Sequence, residues 1–500
     1  MKNLLALSIL CIAVLVSFGT SAQRAMNVVS YPSVEGAVLG SISAYTENSN
    51  GNQLMLITGY TEFNLNTNLF ESGAVIYQKI GDGDFEPLIT VPLVFLHKSR
   101  GSQLVDVNDD GHADVYLQGN SSNSEQSPNI ISYIILNNGD NTWNFNSPQI
   151  LEGRYDGAAV FADLDNDGDK DIIRSGVDNN GVTHTSLEEN DGSGNFTTAM
   201  TFPLGLVQGV ITLGNFYNDP ASPDNLLDFI ISGENGVDRY LQMWRNQGGL
   251  NFTLVSNPVF SDNGIDSSIH IKGDFNNDGH LDIIIGGVPN SLEPSLKKYL
   301  GNGLGVFTSD PGFSLPTLFG GVITGIYSGV GAPYDFDGDG DDDFALFAET
   351  NVGRIGYLYE NHGGGNFTVK DELLQLRDGD AQWVDLNNDG VKDLVAIGDL
   401  GMLPLSDPQF MAWTNSHQLG INENSLDDLA VYPNPVIGRL TIESQVPIEL
   451  VEVYNMLGQK VISVSGVVDS VNFEGLSPNM YLVHIKSEDG NTTVKKVIKQ

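Results

Sequence analysis

The stretch Asp163–Asp171, DLDNDGDKD, decides how this chain is read. Aspartates stand at its offsets 1, 3, 5 and 9 (Asp163, Asp165, Asp167, Asp171), with Gly168 at offset 6. Alternate carboxylates in a tight loop converge on one point, and the glycine lets the backbone turn sharply between them. Such an all-oxygen cage suits a hard cation, and calcium takes about six to eight oxygens. One copy would be an ordinary Asp/Gly turn. This sequence has five good copies at a near-constant period.

Numbered by unit, the other good copies are Asp106, Asn108, Asp110, Asp114 (unit two), Asp274, Asn276, Asp278, Asp282 (five), Asp335, Asp337, Asp339, Asp343 (six) and Asp385, Asn387, Asp389, Asp393 (seven). DLDNDGDKD is unit three. Unit one, TENSNGNQL, keeps Asn48, Asn50 and Gly51 but has Thr46 and Leu54 where aspartates belong. Unit four has Asn215 and Asp228 with five extra residues between them. Units one and four are expected to hold calcium poorly or not at all, leaving about five sites.

Each loop feeds a short β-branched run ending near glycine, such as DIIRSG, DIIIGG and DLVAIG, which reads as a strand. A second run follows, then a Gly/Asn turn of hairpin chemistry and usually a phenylalanine: Phe85, Phe145, Phe196, Phe252, Phe307, Phe367. The repeating rings read as packing anchors. Four-stranded units in series predict an all-β, seven-bladed β-propeller over residues 26–424. Unit seven lacks a clear fourth strand, and NVVSYPSV (Asn27–Val34) resembles the fourth strand TLVSNPVF (Thr253–Phe260). The N-terminal strand is therefore expected to complete the last blade. A polar linker spans 415–428, and 429–500 reads as a small β-sandwich of about seven short strands.

The chain carries 23 basic and 63 acidic side chains, a net charge of −40. Phosphate contact needs clustered Lys and Arg, so nucleic acid is excluded as a partner. Residues 1–22 read as a secretory signal: Lys2, the apolar run Leu4–Val16, then Thr20-Ser21-Ala22. That run is too short to span a membrane, so no transmembrane segment is expected in the mature chain. The one cysteine, Cys11, lies inside it, which removes thiol chemistry from the mature protein. No HExxH and no Gly-rich phosphate loop with its Lys occurs.

The nonapeptide, the LDIII-type strands and the G-x-G-x-F hairpins resemble the FG-GAP or VCBS-type repeat of integrin α-chain propellers and bacterial surface proteins. That resemblance implies that the backbone carbonyls at offset 7 (His112, Asp169, His280, Asp341, Val391) complete the cages; the rings of His112 and His280 are expected to be exposed. YPNP (Tyr432–Pro435), VYNMLGQKV and NMYLVHIKSEDGNTTVKKVIKQ resemble the type A sorting domain of the type IX secretion system of Bacteroidetes, with Asn479 where that family often has Gly. This implies export by the type IX machinery to the cell surface or beyond.

Together these readings predict a secreted or surface-displayed, calcium-stabilised, non-catalytic module that binds an extracellular glycan or surface protein. A lyase-like, polysaccharide-degrading enzyme on the same scaffold is the alternative. His97, Lys98, Arg100, Arg154 and Arg377 precede the Asp loops by similar distances, and they are expected to offer a cationic spot on the rim away from the loops.

Overall fold

An Asp loop turns the chain back on itself, so its flanking runs pair antiparallel. The structure is a computed structural model. It describes residues 26–500 apart from 48–50, 65–68, 81–83, 92–100, 123–127, 219–224, 262, 402–406, 416–428, 445–446, 456–459, 467 and 488–491. The signal segment, Asn48, Asn50, His97, Lys98, Arg100 and the linker from 416 onward lie outside the described residues.

In unit three, DLDNDGDKD joins strand Ala159–Ala162 to Asp171–Val177, with Ala162 opposite Asp171. The chain reverses twice more through Thr183–Asn190 and Phe196–Thr201, giving four antiparallel strands in chain order. Among the described residues seven such units follow one another, and Met26–Val29 pairs with Pro408–Asn415 as the fourth strand of the seventh. A bridge from Ser295 to Ile326 joins the sheets of units five and six. One helical turn, Pro258–Ser261, follows unit four. The architecture is all-β, with the strand arrangement of a β-propeller.

The first strands of all seven units line one central cavity of about 340 Å³. An inner strand has an unpaired edge, and polar side chains occupy it here. Asp380 Oδ2 accepts from Ile42 N at 3.1 Å, Gln382 Oε1 from Ala44 N at 2.7 Å, and Ser43 Oγ from Leu104 N at 3.0 Å. At the cavity mouth Leu39, Asp156, Gln208, Ser267 and Asp378 all take left-handed backbone, φ 47–58°. Their peptides bond from unit to unit: Gln208 N to Asp156 O at 2.7 Å, Ser267 N to Gln208 O at 2.7 Å, Leu39 N to Asp378 O at 2.6 Å.

Five of the six hairpin phenylalanines are buried: Phe85, Phe196, Phe252, Phe307 and Phe367. Unit two differs. Its buried anchor is Trp143, paired opposite Asn137, while Phe145 is only partly buried. The fixed quantity is a spacing of six between the two residues paired at the base of the hairpin, as in Asn190 to Phe196, Asn361 to Phe367 and Asn137 to Trp143. The hairpin geometry selects that position, whichever aromatic occupies it.

Contacts divide the chain into two bodies, Met1–Ser416 and His417–Gln500. The second has a three-stranded sheet (Ala430–Tyr432, Arg439–Glu443, Ser470–Asn472) and a four-stranded sheet ordered Lys460–Ser465, Ile448–Asn455, Asn479–Ser487, Thr492–Lys499. Leu440, Val451, Val453, Phe473, Val483 and Val497 pack in the core between them.

Candidate metal centres

The Asp loops begin where the first strand stops, and backbone N–H groups set their carboxylates. The first aspartate takes two such groups, at the residues of offsets 5 and 6: Asp163 from Asp167 N and Gly168 N, both at 3.1 Å, and Asp274 from Asp278 N at 3.1 Å and Gly279 N at 2.7 Å. Asp106 and Asp385 repeat this, and Asp335 takes Gly338 N and Gly340 N. The offset-5 carboxylate takes the N–H of offset 7 in all five good loops, for example Asp341 N to Asp339 at 2.9 Å. Offset 4 is left-handed throughout (Asp109, Asn166, Asn277, Gly338, Asn388), which favours Asn, Asp and Gly.

The last aspartate is buried and binds the loop at both ends. Asp171 takes Leu164 N at 3.3 Å and, across the hairpin, Asn190 N at 3.0 Å. Asp114, Asp343 and Asp393 do the same with Val107 and Asn137, Phe336 and Asn361, and Leu386 and Asn415. Burial pushes these carboxyls up, and neighbouring loop aspartates add to it: Asp114, Asp282 and Asp393 to about 6, Asp171 to about 7, Asp343 to about 8. Burial and the adjacent carboxylates also raise Asp165, Asp337 and, to about 6, Asp169.

These residues fit a calcium ion. Asp165 Oδ1 and Asp282 Oδ2 are buried acceptors with no hydrogen-bond partner. Carboxylate oxygens of Asp163, Asp165 and Asp167, and likewise of Asp335, Asp337 and Asp343, lie within 4.8 Å of one another. Units two, five and seven have Asn at offset 3 and keep the same hydrogen bonds with fewer charges. A bound cation would supply the positive charge that this crowding lacks. In unit four, Asp228 retains both backbone bonds, to Tyr217 N at 2.7 Å and Asn246 N at 2.9 Å, although the loop is longer.

Sequence reading missed the asparagine that ends the third strand of units three, four, six and seven. Asn190 Nδ2 donates to Val107 O of the preceding unit at 2.7 Å, Asn246 Nδ2 to Leu164 O at 2.6 Å, Asn361 Nδ2 to Phe275 O at 3.1 Å, and Asn415 Nδ2 to Phe336 O at 2.6 Å. Each acceptor is the offset-2 carbonyl of a loop in the unit before, so these four hairpins hold the neighbouring loop. Offset 8 adds a second tie, with Lys170 Nζ on Asp106 O at 2.9 Å and Asp342 Oδ2 accepting from Asp274 N at 2.7 Å. The available signal was Asn standing just before the Gly-rich turns. Asn190→Ala is expected to cost about 2–3 kcal/mol in urea unfolding, because it leaves the buried Val107 carbonyl unpaired.

His112 is not an exposed ring. It sits 3.2 Å from Glu47 Oε1 of unit one, a fully buried carboxylate. The expected cationic spot is also absent at its described members. Arg154 is 2% exposed and pairs with Glu152 at 2.9 Å, and Arg377 pairs with Asp399 at 2.7 Å. Both guanidiniums are neutralised within the fold.

The FG-GAP-like repeat family matches residues 106–174, 223–285 and 274–346, and the secretion system C-terminal sorting domain matches 430–500. No curated protein matches the chain. Solved structures with similarity include Drosophila semaphorin 1a (extracellular domains 1–2; 10% identity, 79% of this chain, 89% of that one, TM-score 0.38). Another is PorZ, a surface component of the type IX secretion system of Porphyromonas gingivalis (12% identity, 89% of this chain, TM-score 0.34); this chain spans 64% of PorZ. A third is AofleA of Arthrobotrys oligospora (10% identity, 69% and 89%, TM-score 0.35). Among the described residues no helix is long and apolar enough to cross a membrane. The chain carries FG-GAP-like repeats arranged as a β-propeller and ends in a type IX sorting domain that directs it to the cell surface or beyond.

Proposed function

We propose that the repeat body is a calcium-stabilised binding module that captures neutral saccharide, without turnover, on the rim opposite the Asp loops. The calcium reading is carried by one observation: five loops hold buried, mutually repelling carboxylates on preset N–H groups. Calcium here is structural, tying two strands of a unit together and, through the Asn and offset-8 contacts, tying units together.

The saccharide reading is supported by two cavities of about 400 and 500 Å³ at the junction of units four and five, which share Asn290. They lie by the turns between second and third strands, at the far end from the Asp loops. Their walls carry the amides of Gln242, Asn257, Asn263 and Asn290 beside Tyr240 and Leu254. Amides both donate to and accept from sugar hydroxyls, and an apolar wall suits a sugar ring face. The nearby cations are already engaged: Arg239 with Asp266 at 2.7 Å, and Lys297 with Asn263. Burial lowers the Lys297 pKa further. A glycan array probed with and without calcium tests the reading. Neutral glycans are expected to bind, and binding should fall at least tenfold in Asn290→Ala. An array without hits, or hits indifferent to Asn290→Ala, would overturn the saccharide assignment.

A further inference from the structure

We propose a metal centre of a different kind, a transition-metal site formed by Glu152, Asp178 and His184 on the rim opposite the Asp loops. Three separate segments supply it. Glu152 follows the fourth strand of unit two (Gln149–Leu151), Asp178 follows the second strand of unit three (Asp171–Val177), and His184 lies on the third (Thr183–Asn190). The second strand separates this cluster from the unit-three Asp loop by about 20 Å.

His184 Nε2 lies 3.2 Å from Asp178 Oδ2 and 4.0 Å from Glu152 Oε1, and the three ligand atoms fall within 4.8 Å of one another. A zinc-like ion about 2.0–2.2 Å from each ligand needs ligand atoms about 3.0–3.5 Å apart. The Asp178–His184 pair already meets that. Glu152, whose side chain is 56% exposed, has only to swing inward.

The supporting atoms fix Asp178 and orient Glu152. Asp178 Oδ1 accepts from Asn180 N at 2.8 Å and Val182 N at 2.9 Å, which leaves Oδ2 facing the imidazole. The far oxygen of Glu152, Oε2, is held by the buried Arg154 at 2.9 Å, leaving Oε1 toward His184. Carboxylates that ligate metals are commonly fixed by outer hydrogen bonds of this kind. The fold does not require the trio. The corresponding turn carries the neutral Asn120 in unit two. In unit seven it carries Asp399, which already has its cation in Arg377 at 2.7 Å. An imidazole with two carboxylates selects zinc, cobalt, nickel or manganese over calcium, which prefers oxygen alone.

The full chain, saturated with calcium, is titrated with cobalt(II) and then zinc(II), read by calorimetry and by cobalt ligand-field absorption. One equivalent of cobalt, displaced by zinc, is expected. Its affinity should fall at least tenfold in His184→Gln and in Glu152→Gln, with calcium content unchanged. Glu152→Gln alters a half-exposed side chain, so it reports even where His184→Gln fails to fold. Absence of that equivalent from the calcium-loaded protein, or affinity unchanged in the folded variants, would overturn the site.

Discussion

Removing calcium at pH 8 is expected to lower the melting temperature of the repeat body by about 10 °C or more, on the order of several kcal/mol summed over the sites. Each ion that binds the folded but not the unfolded chain adds about 2.7 kcal/mol at a hundredfold excess over its Kd. Without the ion, each loop retains buried carboxylates that repel one another. The pH dependence then has a definite sign. The last carboxyls titrate at about 6 to 8 in the folded loops. Unfolded aspartate titrates at about 3.9. The folded state therefore binds more protons between these values, and the stability of the calcium-free protein falls as pH rises from about 4 to 8. EDTA-treated protein should melt higher at pH 5 than at pH 8. Calcium-loaded protein should do the reverse, since protons compete with the ion for the same oxygens. Differential scanning calorimetry at both pH values, with and without EDTA, checks this; a melting temperature indifferent to EDTA at pH 8 would contradict the calcium assignment.

The second large effect is at the cavity mouth. Gly209→Ala is expected to cost about 3 kcal/mol or more, or to prevent folding, because the added Cβ meets backbone rather than a side chain that can move. Built on Gly209, a Cβ falls well inside 3.0 Å of Ser232 O and also touches Gly233. Gly40 and Gly379 stand in the same relation to the carbonyls of Thr58 and Ile397. These glycines follow the left-handed Gln208, Leu39 and Asp378, whose peptides link unit to unit, so a shift at one propagates along the ring. Gly73→Ala is the control, since its Cβ meets nothing within 4 Å. Urea unfolding of the two variants checks the point, and equal losses would remove the argument.

The glycine pairs show the limit of the sequence. Second strands visibly end near glycine, as in DIIRSG and DFIISG. Their partners before the first strands, Gly157 facing Gly176 and Gly209 facing Gly233, are about 20 residues away, and only folding shows the close approach. The Phe-to-Trp143 replacement is of the same kind. Composition favoured the repeated phenylalanine, whereas strand register fixed the position.

Local chemistry was legible wherever one short segment contains all of it. An Asp loop is built from nine consecutive residues, so spacing alone gave its carboxylates and its glycine, while the left-handed residue at offset 4 emerged from the backbone. Short β-branched runs between Asp loops and glycines gave the all-β units, and the terminal motifs gave the sorting domain. Charge state and partnership were decided by tertiary structure. Arg154 and Arg377 looked like free cations until the fold placed Glu152 and Asp399 against them, and His112 looked exposed until Glu47 of another unit met it. The Glu152–Asp178–His184 cluster likewise joins residues from two units. Electrostatics and burial depend on distance through space, and a linear pattern encodes that distance only within one loop.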